Sequence, residues 1–423
     1  MRKGFARNFI LAAVLSSAAF VPTGANAAKP DSLRTVSLNP FPSIGYNSDY
    51  GMWLGGYLDF NVYGGLYPNY KHRICVEYLH YSRSPQLFYV EYDSKYLIPG
   101  IRVQSKISYF DKPLNNFFGY GGFPVHYDPA MDRHDGNAYY SNWSKELEAW
   151  VALEDDFLDK LKWNVMLMYS DTRISQIDWK GYDSSNTLFR EYLENGLVRE
   201  NESAGGRSLM LKLGLRYDTR DHELNPTSGF CADANLALSP DLLGRGNDFY
   251  KLNVGLRQFI SIGSERNVLA YHLNWQGTIG GNPAFYDQTR ILGLKMTDGL
   301  GGNRTVRGVL ADRLVGNDYL WANAELRLRA FDFRLLGRRI FLVGNPFADV
   351  GRITRPFRSQ DQAKVLNRDV SDLNKEITRW HLTYGMGGQA IIDYNFIASI
   401  AFGFPQDRQD GKMGVYMIMD YIF

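Results

Sequence analysis

The sequence predicts an all-β fold, a transmembrane antiparallel β-barrel of sixteen strands with long extracellular loops. Three observations lead to this prediction. Apolar and polar residues alternate with a period of two in many segments, and the long connections all lie on one side of the strand order. Downstream of residue 27 the chain also contains no run of about 18 apolar residues, the length that a membrane-spanning helix requires.

The first 27 residues have the organisation of a secretory signal peptide. Arg2, Lys3 and Arg7 are basic, residues 9–21 are mostly apolar, and the small residues "ANA" at 25–27 suit a cleavage site. The apolar stretch is too short to remain as a membrane span. We therefore expect a signal peptide at 1–27, a short periplasmic segment at 28–38 and the barrel at 39–423.

Composition narrows the function classes without choosing among them. The chain contains 28 Tyr, 25 Phe and 41 Gly, its mean hydropathy is −0.31, and its formal net charge is +2. A charge so close to neutral argues against a nucleic-acid partner. Cys75 and Cys231 could pair after export, but two small unpaired hydrophobic residues are the simpler interpretation.

The strand pattern is clearest in "LMLKLGLRYD" at 209–218. Alternate residues from Leu209 to Tyr217 are apolar, whereas Lys212, Gly214 and Arg216 lie on the opposite face. A soluble sandwich shows the same alternation, so the pattern alone does not decide. Aromatic residues at the strand ends, and an opposite face that mixes charges with glycine, favour a barrel in a membrane.

Sixteen strands are predicted, and the weak candidate at 284–294 is assigned to the loop that follows the eleventh. Their ranges are 39–47, 49–60, 70–83, 86–97, 100–111, 143–154, 160–173, 207–218, 229–240, 248–260, 266–280, 318–331, 338–350, 378–391, 394–404 and 411–423.

Loop lengths orient the predicted barrel in the outer membrane. The long connections 112–142, 174–206, 281–317 and 351–377 all follow odd-numbered strands, and the connections after even-numbered strands are short. Outer-membrane barrels place short turns on the periplasmic side and long loops outside. Both termini are therefore expected in the periplasm, with the protein in the outer membrane as a multi-pass barrel.

The chain ends in "GVYMIMDYIF", in which apolar residues alternate up to the terminal aromatic. Bacterial outer-membrane proteins commonly present such a final strand to their assembly machinery, and Tyr421 and Phe423 are the candidate signal residues. Ile418 stands where the usual glycine would be, so this likeness is partial.

Three stretches together resemble the BamA/TamA-type outer-membrane insertase superfamily, also known as the bacterial surface antigen barrel. The likeness is strong over 207–423 and only topological over 39–206. The stretches are "RYDTRDHELNPTSGF" at 216–230, "TVRGVLADR" at 305–313 and "FADVG" at 347–351, with a weaker likeness in "NNFFGYGG" at 115–122.

The resemblance implies that the sixth extracellular loop folds back into the lumen, where its arginine meets acidic residues of the wall. Here that arginine is Arg307, followed by Gly308, and the candidate partners are Asp349 and Glu325. A simple hairpin around 332–337 would place Asp349 opposite residue 320, too far for both carboxylates to reach one guanidinium without a tilt or a bulge. The contact between Arg307 and Asp349 is therefore expected first, and Pro346 suggests a bulge.

Two function classes are left open. The sequence shows no metal-ligand cluster, nucleophile elbow or phosphate loop. His272 and Ser261 fit pore-face or turn positions. We therefore expect that the protein is not an enzyme and binds no cofactor or metal. The Val-Arg-Gly loop favours a monomeric barrel in outer-membrane lipid that assists protein assembly or translocation with a separate periplasmic or outer-membrane assembly partner. Residues 28–38 are too short for the family's periplasmic modules, which favours a passive pore or a ligand-binding surface scaffold.

Overall fold

Sixteen strands close into an antiparallel barrel in the computed structural model. The structure describes residues 36–423 except 65–69, 123, 134, 245, 294–295, 336, 393–395 and 420. The predicted signal peptide and residues 28–35 lie outside the described residues. The strands are β1 Val36–Asn47, β2 Gly51–Tyr63, β3 Tyr70–Tyr81, β4 Gln86–Ile98, β5 Ile101–Asn116, β6 Ser141–Leu158, β7 Leu161–Ser175, β8 Gly205–Asp218, β9 Gly229–Ser239, β10 Phe249–Ile262, β11 Ser264–Gly281, β12 Gly316–Leu335, β13 Arg338–Pro356, β14 His381–Ile392, β15 Phe396–Pro405 and β16 Gly414–Ile418.

The two faces of each strand have the burial expected for a barrel in lipid. On β8, Leu213 and Tyr217 are 38% and 44% exposed on the outside, whereas Lys212 and Arg216 are buried inside. A soluble protein would bury the apolar face. The predicted fold class, a sixteen-stranded antiparallel barrel, is confirmed.

The predicted loop parity is also confirmed. The longest connections, at 117–140, 176–204, 282–315 and 357–380, follow the odd-numbered strands β5, β7, β11 and β13. The candidate strand at 284–294 lies in the third of these loops, as predicted. No described helix is long and apolar enough to cross a membrane. The helices are α1 Leu188–Glu194, α2 Phe285–Gln288, α3 Ser359–Val365 and α4 Val370–Ile377, with 3₁₀ turns at Pro129–Met131, Glu200–Glu202 and Arg408–Asp410 and a small sheet of Arg290–Ile291 with Thr297–Asp298.

The long loops pack together over the extracellular end of the barrel, in an arrangement we call the dome. These loops follow β5, β7, β11 and β13, and side chains from all four pack in one cluster. A buried ion pair joins two of them, since Arg358 Nη2 donates to Glu202 Oε2 at 2.8 Å. The aromatic core of the dome contains Phe117, Phe118, Tyr120, Tyr140, Phe189, Tyr192, Phe285 and Phe357.

The barrel closes at a short seam between β1 and β16. The seam pairs Asn47 with Tyr416, and the Ser48 N–H donates to the Val415 carbonyl at 2.9 Å. By contrast, β1 pairs with β2 along its whole length. The seam is therefore the weakest ladder in the wall.

The predicted C-terminal boundary of the final strand, 411–423, is wrong. The strand stops at Ile418, and Tyr421 and Phe423 are buried in the lumen. We call residues 419 and 421–423 the tail. The Arg327 guanidinium lies 3.7 Å from the centre of the Tyr421 ring, and Phe423 stacks on His272 with 5.3 Å between ring centroids. These contacts with the inner wall replace continued pairing with β1.

Replacement of Leu213 by arginine should test the orientation of the strands. An arginine on the lipid-facing side near mid-strand should lower the free energy of unfolding by about 2–4 kcal/mol. Urea titration in lipid vesicles, read by heat-modifiability on a gel, measures the change. Leu242→Arg is the matched control, because Leu242 is exposed in the loop after β9. Equal effects of the two substitutions would contradict this orientation.

Candidate functional site: the loop lock in the lumen

The loop between β11 and β12, residues 282–315, turns back into the barrel. Its apolar side chains Leu300, Val306 and Val309 are fully buried and pack in one cluster with Trp321 of β12 and Ile353 of β13. These contacts hold the loop against the inner wall.

Arg307 is the centre of the site and contacts both predicted carboxylates. Its Nε and Nη2 donate to Asp349 Oδ2 and Oδ1, each at 2.8 Å, and its Nη1 donates to Glu325 Oε1 at 2.6 Å. The backbone N–H of Arg307 adds a bond to Asp349 Oδ2 at 3.0 Å. The guanidinium also lies 3.4 Å from the centre of the Phe347 ring. We call Arg307, Gly308, Asp349 and Glu325 the loop lock.

The strand register explains why one guanidinium reaches both acids. The hairpin between β12 and β13 pairs Leu335 with Arg338, and one register shift between Arg329 and Phe331 then sets Asp349 opposite Asn323. The predicted pairing near residue 320 is wrong for this reason. Glu325 is only two residues from the Asp349 pair, within reach of a side chain as long as arginine. The register is the same on both sides of Pro346, so the bulge suggested there is absent from this pairing.

A second arginine completes a balanced network. Arg327 Nε donates to the other oxygen of Glu325, Oε2, at 3.0 Å. Arg307, Arg327, Glu325 and Asp349 are each at most 3% exposed, and they carry two positive and two negative charges. Charges buried this deeply are tolerated only when each is paired and hydrogen-bonded. The network also reaches the tail, because Arg327 stacks on Tyr421.

Two glycines allow the loop backbone to lie directly on β15. A Cβ built on Gly308 would lie 2.9 Å from the carbonyl carbon of Gly403, and one on Gly403 would lie 2.5 Å from the Arg307 oxygen. Gly308 also has a φ of +103°, which other residues rarely adopt. Gly308 therefore allows both the close approach of the loop to β15 and the left-handed backbone conformation at this position.

The same loop contacts both edges of the seam, which the sequence did not predict. The Gly308 N–H donates to the Tyr416 hydroxyl of β16 at 3.1 Å. The Ala311 N–H donates to Asp49 Oδ1, in the turn between β1 and β2, at 3.1 Å. Burial raises the pKa of the Asp49 carboxyl, although the Ala311 N–H and the Arg133 guanidinium oppose the shift. The loop thus forms a clasp across the seam.

The tail spans the lumen toward the opposite wall. The Tyr421 hydroxyl donates to Asn225 Oδ1 at 3.0 Å, and Asn225 belongs to the periplasmic turn between β8 and β9. This turn lies within the "RYDTRDHELNPTSGF" stretch. The predicted signal residues Tyr421 and Phe423 therefore lie inside the folded barrel, and an assembly signal in them would be readable only before the barrel closes.

The remaining candidate residues have structural contacts. His272 lies within hydrogen-bonding distance of Asn323 Oδ1, at 3.2 Å, and the Ser261 hydroxyl donates to the Thr227 carbonyl at 2.9 Å. Cys75 and Cys231 are both buried free thiols, as interpreted from the sequence. Among the described residues, no group of three or more His, Cys, Asp or Glu side chains is arranged to hold a metal ion.

Together these features define an outer-membrane type of β-barrel that holds one of its own loops in its lumen. Residues 73–411 match the model of the Omp85 superfamily domain. The chain therefore belongs to the Omp85 superfamily, whose β-barrels are outer-membrane proteins. The resemblance inferred from the three sequence stretches is confirmed.

Solved structures of Omp85 barrels share the fold. The crystal structure of BamA from Haemophilus ducreyi lacking POTRA domains 1–3 superposes with a TM-score of 0.57 at 15% identity, covering 91% of this chain and 70% of that chain. CdiB from Escherichia coli gives a TM-score of 0.56 at 12% identity, covering 92% of this chain and 63% of that chain. At these identities the similarity shows the fold. No curated protein matches the chain.

Removal of the Arg307 side chain should release the loop. Arg307→Ala leaves two buried carboxylates without their main partner and should lower the free energy of unfolding by about 3–5 kcal/mol. Arg307→Lys should lower the free energy of unfolding by an intermediate amount, because an ammonium group cannot form the bidentate contact with Asp349. Urea titration measures stability, and limited proteolysis of 299–313 measures release. Arg190→Ala, on the exposed face of helix α1, is the control; an equal effect there would contradict the lock.

The close approach of the loop to β15 gives a separate prediction. Gly403→Ala should displace the loop from the wall, because the new methyl group would overlap the Arg307 carbonyl. We expect faster proteolysis within 299–313 and a lower unfolding midpoint. Gly344→Ala on β13 is the matched control, since a Cβ there meets no atom within 4 Å. Indistinguishable proteolysis of the two variants would exclude this packing.

Proposed function

We propose that this barrel assists the assembly or translocation of outer-membrane proteins, with a separate periplasmic partner that delivers the client chain. The observation that carries the proposal is the clasp: a loop locked inside the lumen contacts both edges of the weakest ladder in the wall. A wall that can part at one place, under the control of an internal loop, is suited to passing a polypeptide sideways into the membrane.

The seam is weak because few bonds hold it. Separation of β1 from β16 breaks the pairing at Asn47 and Tyr416, the bond from the Ser48 N–H to the Val415 carbonyl and the bond from the Val415 N–H to the Ser48 hydroxyl. Every other neighbouring pair of strands shares a longer ladder. A parted strand edge can accept an added strand through its backbone groups. This supports lateral opening at the seam over opening anywhere else in the wall.

The clasp supplies a means of control. Parting of the seam separates Tyr416 on one edge from Asp49 on the other, so the loop can stay with only one of them. The loop lock fixes the loop to β12 and β13, away from the seam. The state of Arg307 would therefore influence how easily the seam opens.

The contents of the lumen favour this function over a passive pore. A passive pore has no need of a loop locked inside its lumen, whereas here the loop packs on the inner wall, and side chains of the dome and the tail form further packed clusters. A ligand-binding surface scaffold is the second candidate, and the dome favours it because its loops form their own packed core.

A disulfide staple across the seam should abolish assistance. In a variant with Cys75 and Cys231 replaced by serine, Ser48→Cys with Val415→Cys would join the two edges and leave Tyr416 of the clasp in place. Proteoliposomes with the reduced protein should speed folding of a urea-unfolded eight-stranded outer-membrane barrel several-fold over empty liposomes, and oxidation should remove that gain.

The matched control staples Phe88 to Tyr109, a pair of β4 and β5 away from the seam, and should keep its activity when oxidised. Planar-bilayer recordings should show no large steady conductance. Large steady steps without any gain in client folding would contradict the proposal and indicate a pore.

A further inference from the structure

Two prolines lie on the open edge of β1. Pro40 and Pro42 pair with Leu58 and Gly56 of β2 in an uninterrupted register. In an antiparallel strand, the N–H and C=O groups of one residue point to one neighbour and those of the next residue to the other. The bond from the Ser48 N–H to Val415 shows that even-numbered residues of β1 face the seam. The ring nitrogens of both prolines therefore face the seam, where they offer no hydrogen.

The two prolines lie opposite the positions that Tyr421 and Phe423 would occupy if β16 continued along the seam. Each step down the seam from the Asn47–Tyr416 pair lowers the β1 number by one and raises the β16 number by one. A longer β16 would set Ile44 opposite Met419, then Pro42 opposite Tyr421 and Pro40 opposite Phe423. Both of the last two are hydrogen-bonding positions, and each would lack its β1 donor. Continued pairing with β1 would therefore lack hydrogen bonds at the same residues where the chain turns into the lumen.

The tail gains contacts in the lumen that compensate for the missing ladder. Tyr421 lies under Arg327 and bonds to Asn225, and Phe423 stacks on His272. In a hydrocarbon environment an unpaired backbone donor is costly. A strand edge in which prolines replace two donors leaves fewer unpaired N–H groups in the membrane. Its exposure therefore costs less free energy than exposure of an edge that has all its donors.

We propose that Pro40 and Pro42 terminate the seam. They bar strand addition along the periplasmic part of the β1 edge, direct the end of the chain into the lumen, and restrict any partner strand to the edge from Ile44 to Ser48. The first two statements concern this chain alone. The restriction on a partner strand rests on the proposed function and deepens it, because it sets which length of client strand the seam accepts.

Disulfide trapping tests where the tail lies. In the serine-substituted background, Phe41→Cys with Ile422→Cys reports a fully paired seam, since these residues would face each other there. His272→Cys with Phe423→Cys reports the tail in the lumen. The parent protein should form only the second disulfide. Pro40→Ala with Pro42→Ala should produce the first disulfide, which the parent lacks, and reduce the second, because the restored donors permit pairing.

The control variant is Pro99→Ala, in the turn after β4, which should leave both disulfides as in the parent. Pro40→Val with Pro42→Val is the second test variant, chosen because β-branched residues favour strands. Heat-modifiability identifies which variants form barrels. Formation of the Phe41–Ile422 disulfide in the parent would overturn the proposal. Absence of this disulfide from folded double alanine or double valine variants would also overturn the proposal.

Photocrosslinking tests the restriction on a partner strand. A photoreactive residue is placed at Leu38 or at Tyr46 in proteoliposomes, and the probe is a urea-unfolded eight-stranded outer-membrane barrel. The parent should crosslink from Tyr46 and not from Leu38, and the double alanine variant should crosslink from both. Equal crosslinking of the parent at both positions would overturn the restriction. If the disulfides behave as expected but neither position ever crosslinks, the proposed function fails and seam termination stands.

Discussion

A guanidinium buried inside a barrel needs carboxylates at fixed positions, and this requirement organises the centre of the molecule. Arg307 donates three hydrogen bonds to Asp349 and one to Glu325, so the loop that carries it must reach the wall at one place only. The tight hairpin of β12 and β13 brings the two acids within reach. The glycine contact between Gly308 and Gly403 allows the backbone to come close enough for the bonds to form.

From this centre, contacts extend to both ends of the barrel. The loop beyond Arg307 reaches the seam through Tyr416 and Asp49, near the extracellular side. In the other direction Glu325 holds Arg327, which stacks on the Tyr421 ring of the tail. Direct contacts therefore connect the lock to the seam and to the tail. The proposed control of the seam by the lock rests on this continuity.

Much of the fold was predictable because period-two alternation and loop parity are properties of the chain itself. All sixteen strands and the contact between Arg307 and Asp349 followed from the sequence and its family resemblance. The simple hairpin expected from the sequence placed Glu325 too far from Asp349 for one guanidinium to reach both acids without a tilt or a bulge. Pairing continues further, to Leu335 and Arg338, and shifts register between Arg329 and Phe331, and the sequence pattern shows neither feature. The inward tail was missed although Pro40 and Pro42 were visible in the first strand, since their effect appears only once the seam register is known. Asp49 gave no local signal, because its partner is a backbone N–H far along the chain.

The central claim is that Arg307 and Asp349 hold the loop in the lumen through direct interaction. A double-mutant cycle measures this interaction alone: unfolding free energies in lipid vesicles are compared for the parent, Arg307→Ala, Asp349→Ala and the double variant. The account predicts a coupling energy of about 2 kcal/mol or more, because each single change leaves a buried charge without its partner. Additive effects, with a coupling close to zero, would contradict it.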